Sequence, residues 1–301
     1  MERIRIPNAA TYLPIAPADL LLTAPLAARV LFGATLPGRV LQAAAVGIYA
    51  GSAAIDWALR ADARRVDFER EFDVDPLDPP PASFEEREAD VSELVERLND
   101  IYQPMVVPRR ELAIQVDNHL TDFIAAITGQ RVETSQQVRD FMLAQILFPF
   151  ALGAADPLTG DVAIFKNVGV FEPHVIAHEF CHRKGYLKEV DAQILAYMAL
   201  SESGDPIMEQ SALCERLDRQ LWVLADRKVE EYNERMEATG LRSELQDALR
   251  VRHPAEQSYA QWIGPVMKGL YDARMRMTGQ NGLADYDEGF TNFLLAVERA
   301  A

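Results

Sequence analysis

The chain has 301 residues, enough for one or two domains with a sizeable buried core. It carries 30 basic and 46 acidic residues, a net charge of −16, and has no lysine- and arginine-rich run. Because nucleic-acid binding normally requires basic patches, this balance argues against a nucleic-acid partner. The two cysteines, Cys181 and Cys214, imply no disulfide framework.

The N-terminal part of the chain differs in composition from the rest. Residues 20–36 are apolar apart from Arg29, and we predict an apolar helical hairpin within residues 1–72. A membrane-spanning helix needs about 20 apolar residues, and Arg29 and Asp56 would be costly in lipid. Two interpretations therefore stay open for residues 13–60, namely a hairpin buried in a soluble protein and a membrane-associated segment. No uninterrupted apolar core follows a basic segment, so no cleavable signal peptide is expected.

Proline and aspartate dominate residues 73–82, which predicts a stiff, solvated linker. Residues 83–86, Ser-Phe-Glu-Glu, have the capping-box spacing of a helix start. Apolar spacing predicts amphipathic helices within residues 134–147 and 208–250. We therefore expect residues 83–301 to form a single, mainly helical domain.

The charged residues of the 208–250 region recur at helical spacing. Glu215, Arg216, Asp218 and Arg219 are examples. This pattern is typical of a solvated helix face with ion pairs along the same helix.

A small β element is predicted ahead of the next helix. Residues 156–161 are dense in turn-forming residues. Residues 162–165, Val-Ala-Ile-Phe, then have the composition of a short strand. The expected fold class is therefore α+β, with α-helix as the main component.

A helix over residues 173–184 follows from three local signals. Pro173 suits the first turn, apolar residues continue the pattern, and Gly185 suits the C-terminal end. Cys181 is expected to be a buried packing residue on this helix. His174 is expected either to support a site on the same face or to lie in solvent.

Residues 178–182 have the sequence His-Glu-Phe-Cys-His, in a chain with only five histidines. In a helix, His178 and His182 lie on the same face. Two imidazoles so placed can bind one Zn²⁺, and Glu179 can then take a proton from the attacking water. Two ordinary core or solvated histidines would give the same five-residue pattern, so its surroundings have to decide.

A catalytic zinc needs a third protein ligand and an open position for water. One class of zinc protease supplies a histidine at the position that Lys188 occupies here, and an ammonium group is a poor zinc ligand. Another class takes a glutamate from the next helix, in a setting that residues 189–193 resemble. Glu189 is therefore the predicted third ligand and Asp191 its rival. Either acid would also suit the N-terminus of an ordinary helix.

The chain also resembles a bacterial family of H-E-x-x-H proteins that is known only as a domain of unknown function. The resemblance covers roughly residues 140–298. One departure is Asp191-Ala192-Gln193, where the family more often has Glu-Ala-Asn. The stretches that carry the resemblance are Phe148-Pro149-Phe150 through Thr159-Gly160-Asp161; His178 through Tyr186 with Glu189, Ala192, Ala196 and Tyr197; and Tyr271-Asp272, Gly279-Gln280, Gly282 through Tyr286, Phe290, Phe293 and Leu294.

The resemblance implies a zincin-like helical domain of the gluzincin type, often preceded by membrane segments. It therefore implies a protein of the bacterial cytoplasm or inner membrane. It also places Tyr286 at a recurrent position, where a tyrosine donor would stabilise developing oxyanion charge. A packed tyrosine with a bonded hydroxyl is the alternative. Tyr197 is a candidate to support the ligands from the second helix.

The predicted function is hydrolysis of a peptide or protein substrate by a zinc metallopeptidase. The strand at residues 162–165 would border the cleft, because extended peptides add to exposed sheet edges. The alternative is a non-catalytic interaction or assembly protein that keeps a metallopeptidase-like fold. An iron site for redox chemistry ranks last, because carboxylate di-iron bundles use Glu-x-x-His pairs from two helices.

Overall fold

The computed structural model describes residues 1–147, 151–165, 167–253, 263–277 and 279–300. Over these residues the chain is mainly helical, which confirms the expected predominance of α-helix. Residues 148–150, which open the first stretch of the family resemblance, lie outside the described part.

The elements of the first half are β1 (Glu2–Arg5), a 3-10 helix (Ala9–Tyr12), α1 (Pro17–Phe32), α2 (Leu36–Ala61), α3 (Phe68–Phe72), α4 (Phe84–Ile101), α5 (Arg109–Thr128), β2 (Gln130–Glu133) and α6 (Met142–Leu147). The elements of the second half are β3 (Gly153–Ala155), β4 (Val162–Ile164), a 3-10 helix (Gly169–Phe171), α7 (Glu172–Lys184), α8 (Glu189–Ser201), α9 (Pro206–Leu224), α10 (Val229–Ala238), α11 (Ser243–Arg252), α12 (Ile263–Met277) and α13 (Leu283–Ala300).

Two small sheets accompany the helices. Strand β1 pairs with β2 in parallel, and β3 pairs with β4 as an antiparallel hairpin. Arg139 bridges to Ala163 in β4, so β4 lies between Arg139 and β3, and β3 is the outer strand. The predicted strand at 162–165 is thus present as β4.

The helix predicted over residues 134–147 is wrong for its first part. The N–H of Arg139 donates to the carbonyl of Val162 at 2.9 Å, and its own carbonyl accepts from Ile164 at 3.2 Å. These bonds hold the backbone in extended pairing, so the helix begins only at Met142. The capping box at residues 83–86 is confirmed by both of its reciprocal hydrogen bonds.

The main core lies between α4, α5, α7, α8, α9 and α13. Each fully buried leucine or phenylalanine there contributes roughly 1.5–3 kcal/mol relative to exposure. Helix α8 is buried almost all round, which fits its nearly continuous apolar sequence. The core also includes residues from the N-terminal region, because Phe68 packs edge-on against Phe293 at 5.9 Å. Central members are Leu98, Leu120, Phe180, Leu195, Leu217 and Phe293.

Helices α1 and α2 pack against each other at the N-terminus. Several of their apolar side chains are exposed, including those of Leu26, Val30 and Leu36. Arg60 of α2 donates to the carbonyl of Pro157 at 2.9 Å, which joins these helices to the turn before β4. Among the residues that the structure describes, no helix combines the length and apolar character needed to cross a membrane.

Candidate metal centre

Helix α7 carries the H-E-x-x-H sequence, and its ends are where local chemistry predicts them. It starts at Glu172, whose carboxylate pairs with Arg109 at 2.6 Å, and Pro173 occupies the first turn. It ends at Gly185, which has a φ of 101°. That left-handed conformation favours glycine, and it lets the Gly185 N–H reach the carbonyl of His182 at 2.9 Å.

Two buried cations fix the C-terminal end of α7. Arg183 donates to the carbonyl of Gly160 at 2.7 Å and to that of Gln137 at 2.8 Å. Lys184 pairs with Asp117 of α5 at 2.8 Å. Buried charges require such partners, so these contacts hold α7 against α5 and the β3–β4 hairpin. No local sequence pattern predicts a role for either residue.

Three side chains that could together hold a metal ion, from α7 and the start of α8, converge at one point. The Nε2 atoms of His178 and His182 lie 3.2 Å apart. One oxygen of Glu189 lies 3.2 Å from Nε2 of His178 and 3.3 Å from Nε2 of His182. Among the described residues, these three form the cluster of histidine, cysteine and acidic side chains suited to a metal ion.

The spacing of these three atoms fits zinc. Ligand atoms about 2.0–2.1 Å from a tetrahedral zinc lie about 3.3 Å from one another, and all three distances are 3.2–3.3 Å. The donor set of two imidazoles and a carboxylate is one that zinc enzymes use. The residues present therefore fit a zinc ion with one position left for water.

The imidazole of His182 is oriented by a backbone acceptor. Its Nδ1 lies 2.6 Å from the carbonyl oxygen of Tyr186, and because that oxygen only accepts, Nδ1 carries the proton. Nε2 is then the nitrogen that faces the cluster, and it can bind a metal once it has lost its proton. Burial opposes protonation, but the Glu189 carboxylate raises the pKa of His182 to about 9.

Glu189 is positioned as the first residue of α8. Its N–H donates to Oε1 of Gln280 at 2.7 Å, and the hydroxyl of Tyr271 donates to its carboxylate. Burial alone would raise the pKa of Glu189, but the two imidazoles hold it well below the ordinary value. The rival Asp191 is not in the cluster, and burial raises its pKa to about 6.

The carboxylate of Glu179 lies beside the outer strand. It is buried on α7, and burial raises its pKa above the ordinary value. A Cβ added to Gly153 of β3 would lie 2.9 Å from its Oε1 atom. The predicted proton acceptor therefore lies beside β3. The prediction that the strand at residues 162–165 borders the cleft is wrong, because β4 is paired on both sides, with Arg139 and with β3, and it is β3 that lines the cavity.

A cavity of about 970 Å³ opens over the cluster and is bordered by β3. Tyr286 lines it, and its hydroxyl donates to Oε1 of Gln193 at 2.7 Å. Gln193 in turn donates to Glu215 at 2.8 Å. The guanidinium of Arg219 lies 4.9 Å from the centre of the Tyr286 ring. Tyr286 thus lies at the site, with its hydroxyl hydrogen on Gln193.

Two expectations about α9 and Tyr197 need correction. Glu215, Arg216 and Asp218 are not on a solvated face but almost fully buried. Arg216 pairs with Asp90 of α4 at 2.7 Å rather than with its own helix. Tyr197 accepts a hydrogen bond from Arg216 at 3.1 Å and does not line the metal cavity, so it does not support the ligands.

Cys181 and His174 of α7 have different surroundings. Cys181 is fully buried in the main core, as expected, and no disulfide is formed. His174 lines the metal cavity one turn before His178. It was expected to support the site or lie in solvent, and it is only 2% exposed.

Comparison with known proteins gives one match. A family model described as "Protein of unknown function (DUF3810)" matches residues 57–295. No curated protein and no solved structure matches the chain.

Proposed function

The chain belongs to this family of unknown function, and we propose that it is a zinc-dependent metallopeptidase with a zincin-like domain of the gluzincin type. The observation that carries the proposal is the near-equal spacing of His178, His182 and Glu189, at 3.2–3.3 Å. The position of Glu179 beside the cluster supports hydrolysis rather than metal storage.

The residues of the chain have distinct roles in this proposal. His178, His182 and Glu189 hold the metal, which when bound lowers the pKa of water towards 7 and polarises a carbonyl group. Glu179 accepts a proton from the attacking water and passes it to the leaving amine. Its burial supports this role, because a raised pKa brings a carboxyl closer to the working pH of a general base.

The substrate would bind along β3. Strand β3 pairs with β4 on one side and lines the cavity, and an extended peptide can add to the edge of a sheet as a further strand. Tyr286 would then turn its hydroxyl from Gln193 to the carbonyl oxygen of the scissile bond, where negative charge develops.

The test measures metal content and hydrolysis together. The purified protein is expected to bind one zinc with three protein ligands and to cleave a mixture of unstructured peptides. Glu179→Gln is expected to keep the zinc and to lose about 10²–10⁴-fold in kcat. Exposed Glu85→Gln on α4 is the matched control and should change neither quantity.

Two results would overturn the proposal. Turnover by Glu179→Gln at the wild-type rate would show that Glu179 is not the proton acceptor. A zinc held by four protein ligands, without any turnover, would favour a non-catalytic metal-binding assembly protein instead.

A further inference from the structure

The cavity continues past the metal cluster to the C-terminal ends of α9 and α11 and the start of α10. Apolar and aromatic side chains line it there. We call this part the apolar subsite and define it by five lining residues. They are Phe171, Trp222, Val229, Ala248 and Val251.

The aromatic wall of the apolar subsite is held in place. The ring of Trp222 stacks on His253 with centroids 4.0 Å apart and meets Tyr232 at an interplanar angle of 71°. Nε2 of His253 lies 3.0 Å from Asp218, and the Tyr232 hydroxyl donates to the same carboxylate at 2.7 Å. One buried carboxylate thus fixes both partners of Trp222, so the wall is preorganised to receive a ligand.

The charged groups next to this wall are already paired. Glu215 accepts hydrogen bonds from Arg219 at 2.7 Å and from Arg252. Arg252 also lies 3.2 Å from Asp218. A charged ligand side chain would lose water here and find its counter-charges engaged, which favours an uncharged occupant.

His174 provides a second, polar observation in the same cavity. It is 2% exposed, and neither of its ring nitrogens makes a hydrogen bond of ordinary geometry in the described part of the chain, although the Gln193 side chain lies close enough to interact with one of them. Buried polar groups are almost always hydrogen-bonded. Gln193 can serve only one ring nitrogen, so the other nitrogen, in a cavity wall, points to a ligand with a polar group. Burial also keeps this imidazole neutral, with one nitrogen to donate and one to accept.

We propose that the apolar subsite receives a large apolar side chain of a peptide, and that His174 hydrogen-bonds the main chain of that peptide. This deepens the proposed function and rests on it. A peptide supplies both features at once, because its side chain matches the aromatic wall and its amide groups match the imidazole. The proposal thereby names the substrate class as peptides that carry a large apolar residue, held in the same cavity as the metal cluster.

The test uses the zinc-loaded, full-length Glu179→Gln protein and fluorescein-labelled peptides of sequence Gly-Gly-X-Gly-Gly. Binding is measured by fluorescence anisotropy with X as phenylalanine, leucine, alanine or aspartate. We expect the phenylalanine and leucine peptides to bind at least about tenfold more tightly than the other two, because their side chains leave water for the apolar wall. Equal affinity for all four peptides would overturn the proposal.

Two variants separate the apolar subsite from the main-chain contact. Val251→Glu places a charge at the subsite and should fold, because Val251 is 64% exposed. It should abolish the preference for phenylalanine, whereas Val106→Glu, at a 79% exposed valine outside the cavity, should keep it. His174→Leu should weaken all peptides by a similar factor. If Val251→Glu still binds the phenylalanine peptide more tightly than the alanine peptide, the apolar subsite is contradicted. If His174→Leu binds all four peptides with wild-type affinity, the hydrogen bond from His174 to the peptide main chain is contradicted.

Hydrolysis of the same peptides by the wild-type protein separates this proposal from the proposed function. Cleavage of all four peptides at equal rates would contradict the apolar subsite and still support the proposed peptidase activity. Tighter binding of the phenylalanine and leucine peptides, without cleavage of any peptide, would contradict the proposed peptidase activity and still support the apolar subsite.

Discussion

Gly153 of β3 lies directly against the carboxylate of Glu179 on α7. A Cβ atom at position 153 would lie 2.9 Å from Oε1 of Glu179 and 3.1 Å from the carbonyl oxygen of Ala163. Real Cβ atoms essentially never come within 3.0 Å of such neighbours. The strand edge and the proposed proton acceptor are therefore adjacent because residue 153 has no side chain.

Gly153→Ala is expected to lower kcat at least about tenfold while the zinc content stays at the wild-type value. The methyl group displaces the Glu179 carboxylate, and a misplaced catalytic group costs rate even when the ligands are intact. Metal analysis and steady-state kinetics measure the two quantities. Gly47→Ala is the control, because a Cβ there meets nothing within 4 Å. A normal kcat for Gly153→Ala would contradict the prediction.

The third ligand can be tested by comparing two acids on the same helix. Glu189→Gln should weaken zinc binding by more than about 100-fold, because it removes a charged ligand of the cluster. Asp191→Asn should leave zinc affinity within about threefold of the wild type, since Asp191 lies outside that cluster. Competition with a fluorescent zinc chelator measures both. Equal losses in the two variants would refute the assignment.

The hydroxyl of Tyr271 hydrogen-bonds Glu189, the proposed third ligand, and we predict that it orients this ligand rather than acting in the reaction. Tyr271→Phe removes that hydrogen bond and should weaken zinc binding by about 10–100-fold, the usual effect of losing a group that orients a ligand. At saturating zinc its kcat should stay near the wild-type value. Zinc titration of activity distinguishes this outcome from a direct catalytic role.

Tyr286→Phe should lower kcat without weakening zinc binding, which is the opposite of the result expected for Tyr271→Phe. If its hydroxyl moves from Gln193 to the developing oxyanion, its loss lowers kcat by about 10²–10³-fold and leaves KM and zinc affinity nearly unchanged. A hydroxyl that serves only to bind Gln193 predicts lower stability with normal kcat. Kinetics and urea unfolding on the same preparation therefore decide between the two roles.

The sequence predicted both ends of α7 to within about one residue, because its end signals are local. Pro173 and Gly185 each act within a single helical turn. The pairing of β1 with β2 was not predicted, since it joins Glu2 to Gln130 and no short-range pattern contains that relation. The extended backbone at Arg139 was missed for the same reason.

The features of the site also fall into those that a local sequence pattern predicted and those that it did not. His178, Glu179 and His182 follow from a five-residue pattern, and Glu189 from its position on the next helix. The burial of Glu215 was not predicted, because helical spacing describes a face but not its partners. Those partners include Arg219 on the same helix and Arg252 on α11.

His174 makes the metal-free protein sensitive to acid. Burial, assisted by the neighbouring His178 and opposed by Glu215, lowers the pKa of His174 from 6.5 to about 4. Between these values the unfolded chain binds a proton that the folded chain does not. The free energy of unfolding therefore falls as the pH falls through this window, by about 3 kcal/mol when the effect is complete. Above pH 6.5 the effect is absent.

His174→Leu should remove this part of the acid sensitivity, because leucine does not titrate. The interaction of the imidazole with Gln193 is lost at both pH values and does not change the difference between them. Urea unfolding of chelator-treated protein at about pH 7 and about pH 4.5 gives the free energy of unfolding at each pH. His119→Leu, at a half-buried histidine of α5 outside the cavity, is the control. Its free energy of unfolding should fall between the two pH values by as much as that of the wild type. If the free energy of unfolding of His174→Leu falls between the two pH values as much as that of the wild type, the acid sensitivity arises at other groups, such as the proposed zinc ligands.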